Sequence, residues 1–280
     1  VSLSDTNGHI KVACIQFSAG PDWQSHAEDV SQKIRLAAQM GAQLIALPEN
    51  VSGIRAQRQA PETVPVEGVH PAVQAMQSMA QHTSAWISCG SLAVRPTMEH
   101  KLPVNRSLLF APSGEIMARY DKIHLFEALL PNGETFNEGE HYTGGNKAVL
   151  HSIGGGINLG LSICYDVRFG ALYRTLAQNG ANILLVPSAF TVPTGEAHWH
   201  VLLRARAIEN GCYVVAAAQC GTHDGGRKTY GHSLIIDPWG RVLADGGDAP
   251  GIIMADINLA EVVKARTAIP SLRGDRPFSL

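Results

Sequence analysis

Short apolar runs alternate along this chain with longer stretches of helical periodicity. Lys11 to Phe17 and Leu44 to Leu47 are strand-length and almost wholly apolar. Between them Val30, Ile34, Ala37 and Ala38 recur at the spacing that lines one face of a helix over Trp23 to Met40. Strand, helix and strand in that order predict a βαβ unit, whose second strand is stopped by Pro48. The pattern repeats as a helix over His70 to Ser84, with Pro71 in its first turn, and a strand over Trp86 to Val94. Ser107 to Ala111 and Glu115 to Tyr120 flank Pro112-Ser113-Gly114, turn chemistry that joins antiparallel neighbours, so the sheet is expected to be mixed. After a long, Gly-rich connection from Pro131 to Lys147 come a strand over Asn158 to Ile163, a helix over Ala171 to Asn179 and a strand over Ile183 to Val186. A helix over Ala197 to Glu209, a strand over Cys212 to Gln219 and a hairpin around Asp237-Pro238-Trp239-Gly240 follow. The long connection is marked as active-site material, because loops of that length tend to be functional. No Ser/Pro-rich linker divides the chain, which predicts one α/β domain over residues 1–280 with helices covering sheet faces.

Composition narrows the partners. Twenty-two basic against 24 acidic side chains give a net charge of −2, which offers no global attraction to nucleic acid or anionic lipid. Only 16% of the 280 residues are charged while 45% are hydrophobic, as expected of extensive burial or a subunit interface. No apolar run reaches the roughly 20 residues of a membrane span, and the polar stretch Val1 to His9 has no signal-peptide core. Five cysteines, an odd set without CxxC spacing, predict reduced thiols and a cytoplasmic protein.

Three positions stand at predicted strand ends, where active groups gather in α/β sheets. Cys164 ends the run Leu161-Ser162-Ile163 just before a polar turn and a helix, whose N–H dipoles favour a thiolate and a developing oxyanion. Glu49 follows Leu47-Pro48, and Lys122 ends the hairpin's return strand in Tyr120-Asp121-Lys122-Ile123-His124. Taken singly, each has an ordinary reading as a buried thiol, a loop glutamate and a solvated lysine. Among the 12 histidines none is decisive as a partner base: His124 and His141 lie near the suspected loop, and His198 and His200 make a weak HxH pair that reads as an amphipathic helix start. Gly154-Gly155-Gly156 precedes a strand rather than a helix and reads as a strand-joining turn. With no GxxxxGK[ST] loop either, no nucleotide site is expected.

In chain order, Leu47-Pro48-Glu49, Tyr120-Asp121-Lys122-Ile123-His124-Leu125 and Ile163-Cys164-Tyr165-Asp166-Val167-Arg168-Phe169 resemble the Glu-Lys-Cys signature of the nitrilase, or carbon-nitrogen hydrolase, superfamily, with a likeness running from Lys11 to about Pro277. The resemblance implies a four-layer αββα sandwich that pairs through helical faces into a homodimer or larger homo-oligomer. It also implies that Cys164 is the nucleophile, Glu49 the general base and Lys122 the oxyanion-stabilising cation beside the N–H of Tyr165, with no metal or organic cofactor. The family's second glutamate falls on Glu138, whose spacing before Gly144-Gly145 fits better than that of Glu134 or Glu140. Val186 to Thr191, Gly195 to Trp199, Arg204 to Asn210, Tyr230 to Ser233 and Asp237 to Gly240 resemble the Nit branch, whose implied reaction releases cysteinylglycine from deaminated glutathione and leaves 2-oxoglutarate, a metabolite repair.

Two departures from that branch stand out. Gly170-Ala171 replaces the usual Pro-Glu, and His200 stands where an acid is common, which puts substrate preference in question. Arg168 and the Ser188, Ala189, Phe190 loop are the expected substrate contacts, Arg168 because a guanidinium forks onto a carboxylate. An ion pair of Arg168 with Asp166 is its structural alternative. Rival readings are an ω-amidase acting on 2-oxoglutaramate, an N-carbamoyl or aliphatic amide hydrolase, a fold-retaining binding protein, and a metal hydrolase built on His198 and His200.

Overall fold

Alternation decides the layering. The computed structural model describes residues 8–57, 59–129, 133 and 135–279; Val1 to Asn7, Pro131 and Glu134 therefore lie outside the described residues. In the first strand, His9–Gln16, Val12 and Cys14 join one buried cluster while Ala13 and Ile15 join another. Leu44–Ala46 divides likewise, Leu44 and Ala46 to one side and Ile45 to the other, as side chains of period two must in a sheet covered on both faces. The first cluster meets a second sheet. The other takes Val30 and Ile34 from helix Ala27–Gln39 and Val73 and Met76 from helix Pro71–Thr83. On the far side, Leu172 and Leu176 of helix Gly170–Gln178 and Leu203 of helix His200–Asn210 cover the second sheet. Four layers result, helix, sheet, sheet and helix. Each wholly buried Leu or Ile in them contributes about 1.5–3 kcal/mol.

Seven strands make the first sheet, in the order Gly251–Asn258, His9–Gln16, Leu44–Ala46, Trp86–Ser88, Val104–Phe110 and Leu92–Val94, with Ile116–Asp121 also on Val104–Phe110. His9–Gln16, Leu44–Ala46 and Trp86–Ser88 run parallel, so the expected βαβ unit is formed. Six strands make the second, in the order Val242–Asp245, Leu234–Ile236, Tyr213–Ala216, Ile183–Leu185, Ile157–Leu161 and Val149–Gly154, its central three parallel. Both sheets are mixed. Gly154 to Gly156 turn Val149–Gly154 back onto Ile157–Leu161, as read from the sequence.

Several elements differ from the periodic reading, among them the helix Leu259–Ala268, which the pattern left unassigned. Trp86 to Val94 is two strands rather than one, because Gly90 takes a left-handed φ of +47° between them. A Cβ there would stand 1.8 Å from the carbonyl oxygen of Pro48, a contact only glycine permits. Part of the expected loop is ordered: Thr135–Asn137 pairs antiparallel with Glu127–Leu129, and Glu138–Glu140 forms a 3-10 turn. Gly251–Asn258, which the pattern left unassigned, pairs with His9–Gln16 along the length of both strands. From Ile252 to Ala255 its side chains are half-buried on both faces, so no alternation marks that stretch.

Candidate active site

Carboxyl ends of strands from both sheets converge on one place. Phe17, just past the first strand, bridges Gln219, just past Tyr213–Ala216, which ties the two sheets at this end, while Ser188 bridges Ala218 within the second sheet. The Gln219 side chain then donates to the Glu49 carbonyl at 3.0 Å and accepts from Ala19 N–H at 3.0 Å. Glu49 is thus delivered by Pro48 at one strand's end and clamped by the other sheet. The Gly90 backbone packs under Pro48 in the same turn.

Lys122 follows the strand Ile116–Asp121, its N–H bonded to Asn105 O at 2.9 Å. Cys164 opens the turn Cys164–Arg168 with a left-handed φ of +49°, rare for a residue with a side chain. Its N–H is held by Pro187 O at 2.9 Å. Asp166, wholly buried, joins these two pieces. It accepts from Tyr120 Oη at 2.6 Å, from His124 N at 3.0 Å and Nδ1 at 2.7 Å, and from Ile163 N at 2.8 Å. The two sequence motifs are therefore one hydrogen-bonded unit. Asp166 is fully engaged there and makes no ion pair with Arg168.

The centre is a buried charge cluster. Lys122 Nζ donates to Glu49 Oε1 at 2.9 Å and to Glu138 Oε2 at 2.8 Å, and the lysine side chain is only 2% exposed. Asn105 Nδ2 bonds Glu49 Oε1 at 3.0 Å and Glu138 Oε1 at 3.5 Å, Ala189 N–H donates to Glu49 Oε2 at 3.0 Å, and Phe126 N–H to Glu138 Oε2 at 2.6 Å. Burial pushes the Glu49 carboxyl up, but the Lys122 charge and its hydrogen bonds outweigh it and hold Glu49 below the ordinary carboxylate range. Burial opposes the charge on Lys122 too, yet Glu138 and Glu49 raise it well above an ordinary lysine. Cys164 goes the other way. Burial and then the Glu49 charge push its thiol well up, with Lys122 only partly opposing. The resting centre is therefore a neutral thiol, two carboxylates and one ammonium. Among the described residues two of the three ammonium donors are taken, and the third can face a reacting group.

Around this centre a cavity is lined by Glu49, Lys122, Glu138, Cys164, Tyr165 and Arg168, and by Ala189 and Phe190. The structure thus brings together eight of the nine residues singled out from the sequence. Ser188 is the exception: it is fully buried, its Oγ donates to Val186 O at 3.1 Å, and it does not line the cavity. Arg168 stands over the Tyr165 ring at 5.8 Å and the Phe190 ring at 5.7 Å, with Nη2 3.3 Å from His198 Nδ1. His198 and His200 serve different partners. His200 Nε2 meets Asp245 Oδ2 at 3.1 Å, whose other oxygen meets His232 Nδ1 at 2.9 Å. The ligand atoms of His200, His232 and Asp245 lie within 4.8 Å of one another, a grouping able to hold a metal ion, but none of the three lines the cavity. An HxH metal centre at the cavity is therefore not formed. Sequence reasoning missed Asn105, Gln219 and the cavity residues Phe126, Phe136 and Arg227. Of these, Gln219, at the end of a predicted strand, and Phe136, inside the Pro131 to Lys147 connection, carried a positional signal.

Comparison with known proteins agrees with this geometry. The family model for carbon-nitrogen hydrolase matches residues 11–267. The chain is 43% identical over 267 residues, 93% of its length and 96% of the relative's, to a Synechocystis protein named deaminated glutathione amidase. Its fold superimposes with a TM-score of 0.83 on the Caenorhabditis elegans NitFhit protein at 33% identity, covering 96% of this chain and 65% of that longer one. A variant of the amidase from Nesterenkonia sp. AN1, solved with the acetamide moiety of fluoroacetamide covalently added at its active site cysteine, matches with a TM-score of 0.77. Identity there is 29%, over 94% of this chain and 95% of that one. With its strand-end cysteine beside a buried Glu-Lys-Glu cluster and a family match across most of its length, this chain belongs to the carbon-nitrogen hydrolase family.

Proposed function

We propose that the protein is a thiol-dependent amidase that hydrolyses deaminated glutathione to 2-oxoglutarate and cysteinylglycine, acting as one domain over residues 1–280. The observation that carries this reading is Lys122 held between Glu49 and Glu138 in the cavity that Cys164 also lines. The relatives' name and the cations of the cavity supply the substrate. Cys164 attacks the amide carbonyl while its proton passes to Glu49. The tetrahedral oxyanion is met by the third donor of Lys122 and by Tyr165 N–H, in the first turn after Ile163, where N–H groups lack helical acceptors. Collapse breaks the C–N bond, Glu49 returns the proton to the departing amine, and a thioester remains on Cys164. Water then attacks, Glu49 takes its proton, and the acid leaves as the thiol is restored. Glu138 and Asn105 keep Lys122 and Glu49 in register. Arg168, braced by Tyr165 and Phe190, receives a substrate carboxylate.

The exposed apolar side chains Val201 and Ile208 on helix His200–Asn210 and Trp239 beside it support a homodimer formed through that helical face. Five free thiols fit a reducing compartment such as the cytoplasm.

Steady-state hydrolysis of deaminated glutathione, 2-oxoglutaramate and a simple aliphatic amide by wild type and Cys164→Ala tests the reading. The expected result is strong preference for deaminated glutathione and no turnover by a folded Cys164→Ala protein. A wild-type-like rate in that variant ends the mechanism, and preference for another amide ends the substrate assignment.

A further inference from the structure

The proposed function leaves two cavity arginines unused, Arg55, which is exposed, and Arg227, which carries a buried guanidinium nitrogen without a hydrogen-bond partner. Arg227, in the hairpin between Cys220–Thr222 and Lys228–Tyr230, lines the same cavity as Cys164. Its guanidinium stands over the Phe136 ring at 5.9 Å, and among the described residues no carboxylate pairs with it. Its Nε is buried without a hydrogen-bond partner, an arrangement that native proteins seldom leave unexplained. The rings continue from there. Phe136 lies 5.1 Å from Phe126, and Phe126 lies 5.1 Å edge-on to Tyr165, over which Arg168 stands at 5.8 Å. Two guanidiniums, neither paired with a carboxylate among the described residues, thus bracket a strip of three aromatic rings in the cavity that Cys164 also lines.

Such a strip suits a ligand with a carboxylate at each end and a less polar middle. We propose that Arg227 forms a second carboxylate subsite, which binds the carboxylate on the leaving-group side of the scissile amide while Arg168 holds the one on the acyl side. Two observations set the sides. Arg168 belongs to the turn that carries Cys164, where the acyl group stays attached as thioester. Arg227 stands at the other end of the ring strip, over Phe136, and so at the end of the cavity away from that turn. The inference rests on the amidase reading and adds to it that the substrate is a dicarboxylate spanning both arginines.

The test uses two amides with the same 2-oxoglutaryl acyl part, one leaving as cysteinylglycine and one as cysteinylglycinamide, in which the terminal carboxylate is neutral. Each is assayed with wild type, Arg227→Met and Arg227→Lys, and the ratio of kcat/KM for the two substrates is compared. Effects of the substitution on Glu49 or on folding act on both substrates and cancel in the ratio. In wild type the carboxylate should be favoured by about tenfold to a hundredfold, the size of one charge-assisted hydrogen bond, mostly through KM. Arg227→Met should bring the ratio to about one, and Arg227→Lys should fall between, because a point charge replaces a fork. Turnover of both amides at equal efficiency by wild type, or a ratio that Arg227→Met leaves unchanged, overturns the subsite alone. Turnover of neither by wild type overturns the substrate reading and the subsite with it.

Discussion

Cys164 differs from nucleophilic cysteines that rest as thiolates, since burial and the Glu49 charge keep its proton on sulfur. In the proposed reaction the proton must therefore leave as the C–S bond forms, and among the described residues the acceptor in place is Glu49, a carboxylate hydrogen-bonded to Cys164 and held by Lys122, Asn105 and Ala189 N–H. This fixes the sign of the pH dependence. A carboxyl held below its ordinary value of 4.5 stays charged as pH falls from neutral, and it loses both its role as base and its stabilising ion pair only below pH 4.5. The acid limb of kcat/KM should accordingly lie below pH 4.5, measured in buffers of constant ionic strength over the range where the fold persists. A limb centred near the ordinary histidine value of about 6.5 would replace Glu49 by an imidazole as base.

Elements bring these residues into register through Asp166. The strand Ile116–Asp121 and the turn Cys164–Arg168 come from different sheets, and the Tyr120 hydroxyl is the donor that spans them at 2.6 Å. Burial and then the Asp166 charge push the Tyr120 hydroxyl up, so it remains a donor across the working pH range. Tyr120→Phe removes one charge-assisted bond from a wholly buried carboxylate. It should lower the unfolding free energy by about 1–3 kcal/mol, read from urea melts. Unchanged midpoint and slope would show that Asp166 does not depend on Tyr120. Elsewhere Gly195 packs so tightly that a Cβ would meet the Tyr230 ring at 2.2 Å.

For the whole molecule, the helix His200–Asn210 has two faces with different fates. Leu203 and Ala207 sit in the core, while Val201 is 68% and Ile208 49% exposed, close to Trp239 at 58%. A chain with so few charges and such a face is expected to bury it against a second copy. Light scattering after size exclusion should give at least a dimer for wild type and a smaller species for a Val201→Glu, Ile208→Glu double variant. A monomeric wild type at micromolar concentration would remove this interface. Within one protomer, the two sheets share a buried layer in which Val12 and Cys14 meet the strands of the other half, while a second core lies between the first sheet and its helices.

Much of this was legible before folding, because periodicity and turn chemistry are local. Four of the helices, the βαβ units and the strand ends at Glu49, Lys122 and Cys164 follow from runs of a few residues, and family spacing adds Glu138, whereas the helix Leu259–Ala268 is left unassigned. What escaped is what depends on distance between remote positions. Asn105 bonds Glu49 across 56 residues, and the Gln219 contact spans 170. The orphaned Arg227, the inward turn of Ser188 and the parting of His198 from His200 have no local signature. Sequence alone determined the order of elements and which strand ends carry reactive groups. Only the tertiary structure decided that they meet in a buried site, because desolvation and Coulomb interaction depend on separations in space, which the spacing along a chain does not fix.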